Sequence, residues 1–217
     1  MRGFNLAQYE FRTLKAQQLM QQHELGALLL TTETNVRYFT GFLTRFWESP
    51  TRPWYLIIPQ SGKPIAVIPS IGEALMSKTW VEDIRTWPSP DLTDDGINLL
   101  SETLNEVAKK NRVGIPSGAE THVRIPRNDL IKLSQNVNLS HDFEIVKNLR
   151  MIKSKEEIIK IEKACMIAKE AFSRVPEIAS ENIRLDEVFR RFQVLCLEAG
   201  ADWVPSVSYT HLTLPTS

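Results

Sequence analysis

The stretch "GFLTRFWESPTRPWY" (Gly41–Tyr55) crowds Arg45, Trp47, Arg52 and Trp54 into a loop between two apolar segments. Guanidinium forks match carboxylates through paired hydrogen bonds, and indole rings supply flat apolar walls. The stretch therefore reads as a lip facing a carboxylate-bearing ligand. A purely structural reading competes with it: Trp54 as core, Arg52 paired with Glu48 or a neighbouring acid, and Trp47 filling a contact between domains. Arg45, Trp47 and Arg52 are the substrate-proximal candidates, and no residue is assigned a catalytic role or a metal.

Other chemistry-bearing residues are weaker. Cys165 and Cys196 fall on the apolar faces of predicted helices, where inert reduced core thiols are expected rather than nucleophiles. His23 and His141 sit at element ends and His122 at a helix start, positions that suit surface or capping histidines. His211 and Asp202 form an isolated pair without the third ligand that a metal site needs. "GIPSGAE" lacks the glycine spacing of a phosphate loop. "DDGINLLSETLNE" reads as a solvated acidic helix face rather than a cation site.

The elements that must position the loop follow from periodicity. Leu6–Gln22 reads as a helix and Gly26–Thr32 as a short buried strand. Trp54–Ile58 and Ile65–Ile68 form a hairpin whose turn carries Ser61, Gly62 and Pro64. A short helix (Ile71–Thr79) and a strand (Val81–Thr86) follow. Thr93 is expected to cap a helix with Asp94 and Asp95 at its positive end and Lys109 and Lys110 at its negative end. Arg112–Pro116 is a strand, Arg124–Gln135 a helix, and "VNLSH" a last short strand. Strands alternating with helices, plus one hairpin, give a mixed-sheet α/β domain over residues 1–142.

The pattern then changes. Ser154 with Glu157 makes a capping box, and Ile158, Ile161, Cys165, Ala168, Phe172 and Val175 form one amphipathic stripe. A second helix, Leu185–Glu198, ends at Gly200. Two apolar-faced helices without strands cannot close a core of their own, so the sequence predicts that they pack on something further along.

At the level of the whole chain, 42% apolar and 24% charged residues among 217 are ordinary globular composition. Twenty-six basic residues balance 26 acidic ones, which leaves no net field to favour nucleic acid or an anionic membrane. Without a signal-like or spanning apolar run, the expected location is cytoplasmic.

Three stretches, "TETNVRYFTGF" (Thr32–Phe42), "RPWYLIIPQSGKP" (Arg52–Pro64) and "LRMIKSKEEIIKIEKACMIAKEAF" (Leu149–Phe172), resemble the creatinase/prolidase family in order and spacing. The resemblance implies a ribonuclease-H-like N-terminal domain, then the first helices of an incomplete pita-bread metallohydrolase domain from residue 143 to 205. It also implies a homodimer acting on a small peptide such as an Xaa-Pro dipeptide. The N-terminal domain of one subunit would approach its partner's active site. Two divalent ions, manganese, zinc or cobalt, would be held by two Asp, one His and two Glu lying after these helices, so none is expected in residues 1–205. The same scaffold also serves creatinase-like and lyase chemistry on small non-peptide substrates. A non-catalytic α/β binding or dimerisation module is the further alternative. Val207–Thr216 ("VSYTHLTLPT") is similar to the translation of a transposase adapter used in sequencing libraries, so residues 206–217, His211 included, are expected to be no part of the natural protein.

Overall fold

The computed structural model describes residues 3–48 and 53–204. It falls into two compact units, Met1–Ile152 and Lys153–Ser217. Among the described residues of the first, six strands form one sheet: β1 (Leu25–Leu30), β2 (Tyr55–Pro59), β3 (Ile65–Pro69), β4 (Asp83–Trp87), β5 (Arg112–Ile115) and β6 (Leu139–His141). Their order is β4-β3-β2-β1-β5-β6. Only β2 runs against the others, pairing antiparallel with both β1 and β3, while the β1–β5, β5–β6 and β3–β4 pairs are parallel. This is the mixed α/β fold, ribonuclease-H-like in its strand order, that the sequence predicts.

Strand β1 is buried over its whole length because both faces of the sheet are covered. Successive side chains point to opposite faces. Leu28 and Leu30 therefore join one core with Leu56, Ile58, Ala66 and Ile68, and Ala27 and Leu29 join the other with Ile57, Val67 and Val113. Helices α1 (Leu6–Gln22), α2 (Glu33–Thr40), α3 (Glu73–Met76) and α6 (Ile145–Met151) cover the first face. Helices α4 (Ile97–Ala108) and α5 (Arg127–Asn136) cover the second.

Polar contacts fix these helices in register. Asn5 caps α1 by accepting from Gln8 N at 3.0 Å. Further along, the Gln17 side chain donates to the carbonyls of Pro59 and Gly62 at 3.0 and 2.8 Å, tying α1 to the β2–β3 turn. Arg12 is buried, with its guanidinium 4.2 Å from the Phe4 ring and 4.1 Å from the Tyr38 ring. It donates to the Tyr38 carbonyl at 2.7 Å. Helix α2 stops at Gly41, whose φ of 75° is left-handed and whose missing Cβ leaves room for the Tyr9 hydroxyl.

Several local expectations shift. Gly96 is the N-cap residue of α4, and Asp94, not Thr93, satisfies the helix's first amides, accepting from Ile97 N at 3.0 Å and Asn98 N at 3.2 Å. Thr93 instead closes a turn on Asp91, donating through its hydroxyl at 2.6 Å. Helix α5 begins at Arg127 rather than Arg124, because Pro126 disfavours helical backbone at the residue before it. His122 accordingly lies in irregular chain, not at a helix start. Residues 145–151, which the sequence reading places beyond the first domain without assigning them a helix, form α6 in the first unit. Ile145 and Val146 fill the first core, Tyr38 donates to the Leu149 carbonyl at 3.1 Å, and Arg150 donates to Asn35 at 2.8 Å.

In the second unit, α7 (Lys155–Ser173) opens with the expected capping box: Glu157 N donates to Ser154 Oγ at 3.2 Å, and Ser154 N donates to Glu157 Oε2 at 2.7 Å. A single turn, α8 (Val175–Ile178), leads to α9 (Leu185–Glu198). Past α9, Gly200 N bonds to the Leu197 carbonyl and Ala201 N to the Cys196 carbonyl, with Gly200 at φ 105°. Phe172 meets Phe192 at 4.8 Å, and the buried set is Ala171, Ile178, Leu195 and Cys196. The α7 stripe is not covered: Ile158 is 45% exposed, Ile161 46% and Phe172 61%. Cys165 is exposed as well, against the expectation of a core thiol, because it shares that open face. The expectation for residues 206–217 lies outside the described residues.

Because Ile145 is 1% exposed, Ile145→Ala should cost the first unit about 2–5 kcal/mol. Ile158→Ala, on the open stripe, should change stability by no more than about 0.5 kcal/mol. Urea titration of the two variants followed by far-UV circular dichroism checks both values.

Candidate substrate-facing turn

Strand β1 ends where β2 begins, and Trp54 and Tyr55 stand side by side at that end of the two central strands. They point to opposite faces, Trp54 into one core and Tyr55 into the other. Trp54 is fully buried, as the structural reading of the sequence has it. Gly72 permits this, since a Cβ there would lie 2.1 Å from the Trp54 ring.

The candidate loop folds over Trp54 as a 3-10 turn, Arg45–Glu48. Thr44 Oγ1 accepts from Phe46 N at 3.2 Å and starts the turn. Phe46 stacks on Trp54 at 6.3 Å, and Trp47 meets it at 5.9 Å and 45°. Trp47 is buried, and its indole N–H has no hydrogen-bond partner among the described residues. Ring contacts therefore hold it. Arg45 reaches Glu48 at 3.5 Å, but both side chains are about 70% exposed, so that ion pair contributes little to fixing the turn. Arg52 lies outside the described residues.

The structure adds Arg124, which the sequence reading passes over. Its guanidinium lies 5.5 Å from the Trp47 ring, and its backbone N–H donates to Thr31 Oγ1 at 2.9 Å, just past the end of β1. Burial lowers the Arg124 pKa, while Tyr55 and Glu33 act in the opposite direction. The available signal was the alternation in Val123-Arg124-Ile125. The two apolar residues pack on the second core, which leaves the arginine for the other side. Tyr55 is the other perturbed group: burial first, then Asp129 and Asp95, push its phenol pKa well above the ordinary 10.0. Its hydroxyl is buried without a hydrogen-bond partner among the described residues. The site thus brings together Arg45, Trp47 and Arg124 on an aromatic floor.

Elsewhere the chemistry is sparse. Cys196 is buried, and desolvation raises its thiol pKa, which suppresses thiolate. His23 closes α1 and stacks on Phe143 at 4.3 Å, and His141 touches the same ring. Among the described residues, no group of three or more His, Cys, Asp or Glu could hold a metal ion. The metal pair implied by the resemblance therefore does not fit these described residues. Among the described residues no helix is long and apolar enough to cross a membrane.

Residues 12–152 match the family model described as the creatinase/prolidase N-terminal domain. The chain belongs to that family. It is 26% identical over 192 residues to an uncharacterized hydrolase/peptidase of Sinorhizobium fredii, covering 85% of this chain and 48% of that protein. It is 24% identical to an uncharacterized peptidase of Staphylococcus epidermidis, covering 81% and 46%. The chain thus spans about half the length of the curated relatives it matches. Among solved structures it is similar to a prolidase from Thermococcus sibiricus, with a TM-score of 0.76 and 23% identity over 90% of this chain and 52% of that one. It is also similar to the dipeptidase PepE from Mycobacterium ulcerans, with a TM-score of 0.73 and 22% identity over 94% and 53%. At that identity, the two structures support the fold.

The geometry separates stability from surface chemistry within one loop. Trp54→Ala should cost about 3–5 kcal/mol in urea titration, and Arg45→Ala no more than about 0.5 kcal/mol. Tyr55 gives a pH signature. A phenol pKa raised by folding contributes stability that is complete below the unfolded value of 10.0 and is lost as pH rises above it, because only the unfolded chain then sheds the proton. The urea midpoint of the native protein should therefore fall more steeply between pH 9 and 11 than that of Tyr55→Phe, measured over the same range. At pH 7 the variant should match or exceed the native midpoint, since the buried hydroxyl it removes has no partner among the described residues.

Proposed function

We propose that this chain carries the N-terminal domain and the opening helices of the catalytic domain of a metal-dependent, Xaa-Pro-peptidase-like hydrolase. The observation that carries the reading is the family match over residues 12–152, in a chain whose second unit holds an uncovered apolar face on α7. Peptidase names among the relatives and prolidase names among the structural neighbours support a peptide substrate. In this reading the catalytic domain starts near the Ser154 capping box, and its sheet covers the stripe of Ile158, Ile161 and Phe172. The two divalent ions, manganese, zinc or cobalt, belong to that later sheet.

The first unit then acts by shaping the substrate site in a homodimer. Arg45, exposed at the tip of the turn, offers a guanidinium to a substrate carboxylate, and Arg52 is assigned the same lip. Trp47 and the Trp54 floor set the height at which Arg45 stands. The first unit supplies binding and water exclusion, not the reacting groups.

The test begins at the source locus, read across the codon for Pro205, followed by expression of the open reading frame found there. That protein, loaded with Mn²⁺, should hydrolyse Xaa-Pro dipeptides, and a chelator should abolish the activity. In it, Arg45→Ala should raise KM about tenfold with little change in kcat, the loss of one charge-assisted contact. Residues 1–204 alone should turn nothing over. Hydrolysis by residues 1–204, or a full frame inactive with manganese, zinc and cobalt alike, contradicts the reading.

A further inference from the structure

We propose that Arg124 is a positioning residue: a latch, anchored to the end of β1 through Thr31, that holds the Arg45–Glu48 turn in place by lying against Trp47. Three observations converge on it. The turn's own ion pair, Arg45 with Glu48, is exposed on both sides and cannot define a conformation. Trp47 is nevertheless buried, and with no hydrogen bond from its indole N–H among the described residues it is fixed through its ring. The ring contacts come from Trp54, which belongs to the core, and from Arg124 at 5.5 Å, which belongs to the connection between β5 and α5. A cation at that distance from an indole is attracted by the ring quadrupole, more strongly when partly desolvated, and Arg124 is half-buried.

The anchor is equally specific. Arg124 N donates to Thr31 Oγ1 at 2.9 Å, and Thr31 is 3% exposed. Thr31 follows Leu30, the last residue of the strand buried on both faces. The latch therefore refers the turn to a central strand buried along its whole length, through a segment 93 residues away in sequence. Flanking Val123 and Ile125 pack on the second core and keep the arginine from rotating away. The consequence for substrate capture rests on the function proposed above, but the latch itself is a property of the fold and is read without any activity.

Trypsin reports it directly, because Arg45 is exposed and cleavage after it requires the turn to open locally. In the full chain, with the cut after Arg45 quantified by mass spectrometry, Arg124→Gln should raise the cleavage rate about fivefold. Arg124→Lys, which keeps the cation, should raise it less than twofold. Thr31→Val, which removes the acceptor for Arg124 N without changing side-chain shape, should move the rate in the same direction as Arg124→Gln. In a Trp47→Leu background, Arg124→Gln should add nothing further, since its partner ring is gone. Circular dichroism identifies variants that have lost the fold. If Arg124→Gln is among them, Thr31→Val and Arg124→Lys in the native and Trp47→Leu backgrounds carry the test. Unchanged cleavage in Arg124→Gln and Thr31→Val overturns the proposal, as does an undiminished effect of either in the Trp47→Leu background. Lysine behaving like glutamine also overturns it. Failure here leaves the peptidase reading intact, and an inactive full-length enzyme leaves the latch intact.

Discussion

Strand β1 is six residues long and buried on both faces, and the rest of the first unit takes its positions from it. A strand with no solvent face must be covered twice, so helices are required on either side of the sheet. Its pairing residues define both halves of the sheet: Leu28 lies opposite Ile58 of β2 and beside Gly114 of β5. Gly114 has no room for a Cβ, which would stand 2.8 Å from the Leu25 and Leu28 side chains. From Ala27 to Leu30 the two cores alternate residue by residue, so a slip of one position would exchange them. The candidate turn depends on the same strand, because Thr31 follows its end and Trp54 stands opposite that end.

Two of the stretches that carried the family resemblance meet in space. Asn35 and Tyr38 from the first bond to Arg150 and Leu149 from the third, 115 and 111 residues away in sequence. The third stretch therefore begins in the first unit, where Leu149 and Arg150 hold α6 against α2. It continues in the second unit, where Ser154 and Glu157 start α7. A motif that reads as continuous sequence does two jobs on either side of the boundary between Ile152 and Lys153.

How much of this was legible follows from the range of the forces involved. Strands β1, β2 and β3 and helices α1, α7 and α9 were readable because their signals are local: apolar runs, a Gly-Pro turn, a capping box, a terminal glycine. The cap of α4 was misread because Thr93, Asp94 and Asp95 are all competent, and tertiary demands chose among them. Asp95 is taken by the Trp87 indole at 2.8 Å, and Thr93 by Asp91. Helix α6 was missed because seven residues carry too little periodicity, and its stability comes from partners over a hundred positions away. Of the site, Trp54 as core was legible from its neighbours in an apolar run, whereas Arg124 carried only the short alternation Val123-Arg124-Ile125, and its partner ring is distant in sequence.

The two units differ in how completely they satisfy themselves. Among the described residues the first has two closed cores, while the second buries four apolar residues and leaves the α7 stripe open. Amide hydrogen exchange on residues 1–204 tests that contrast most directly. The account predicts that β1 and β5 exchange slowest, through global unfolding of the first unit, and that α7 and α9 exchange orders of magnitude faster through local opening. Protection of α7 and α9 equal to that of β1 would contradict it, because the second unit would then need no further covering.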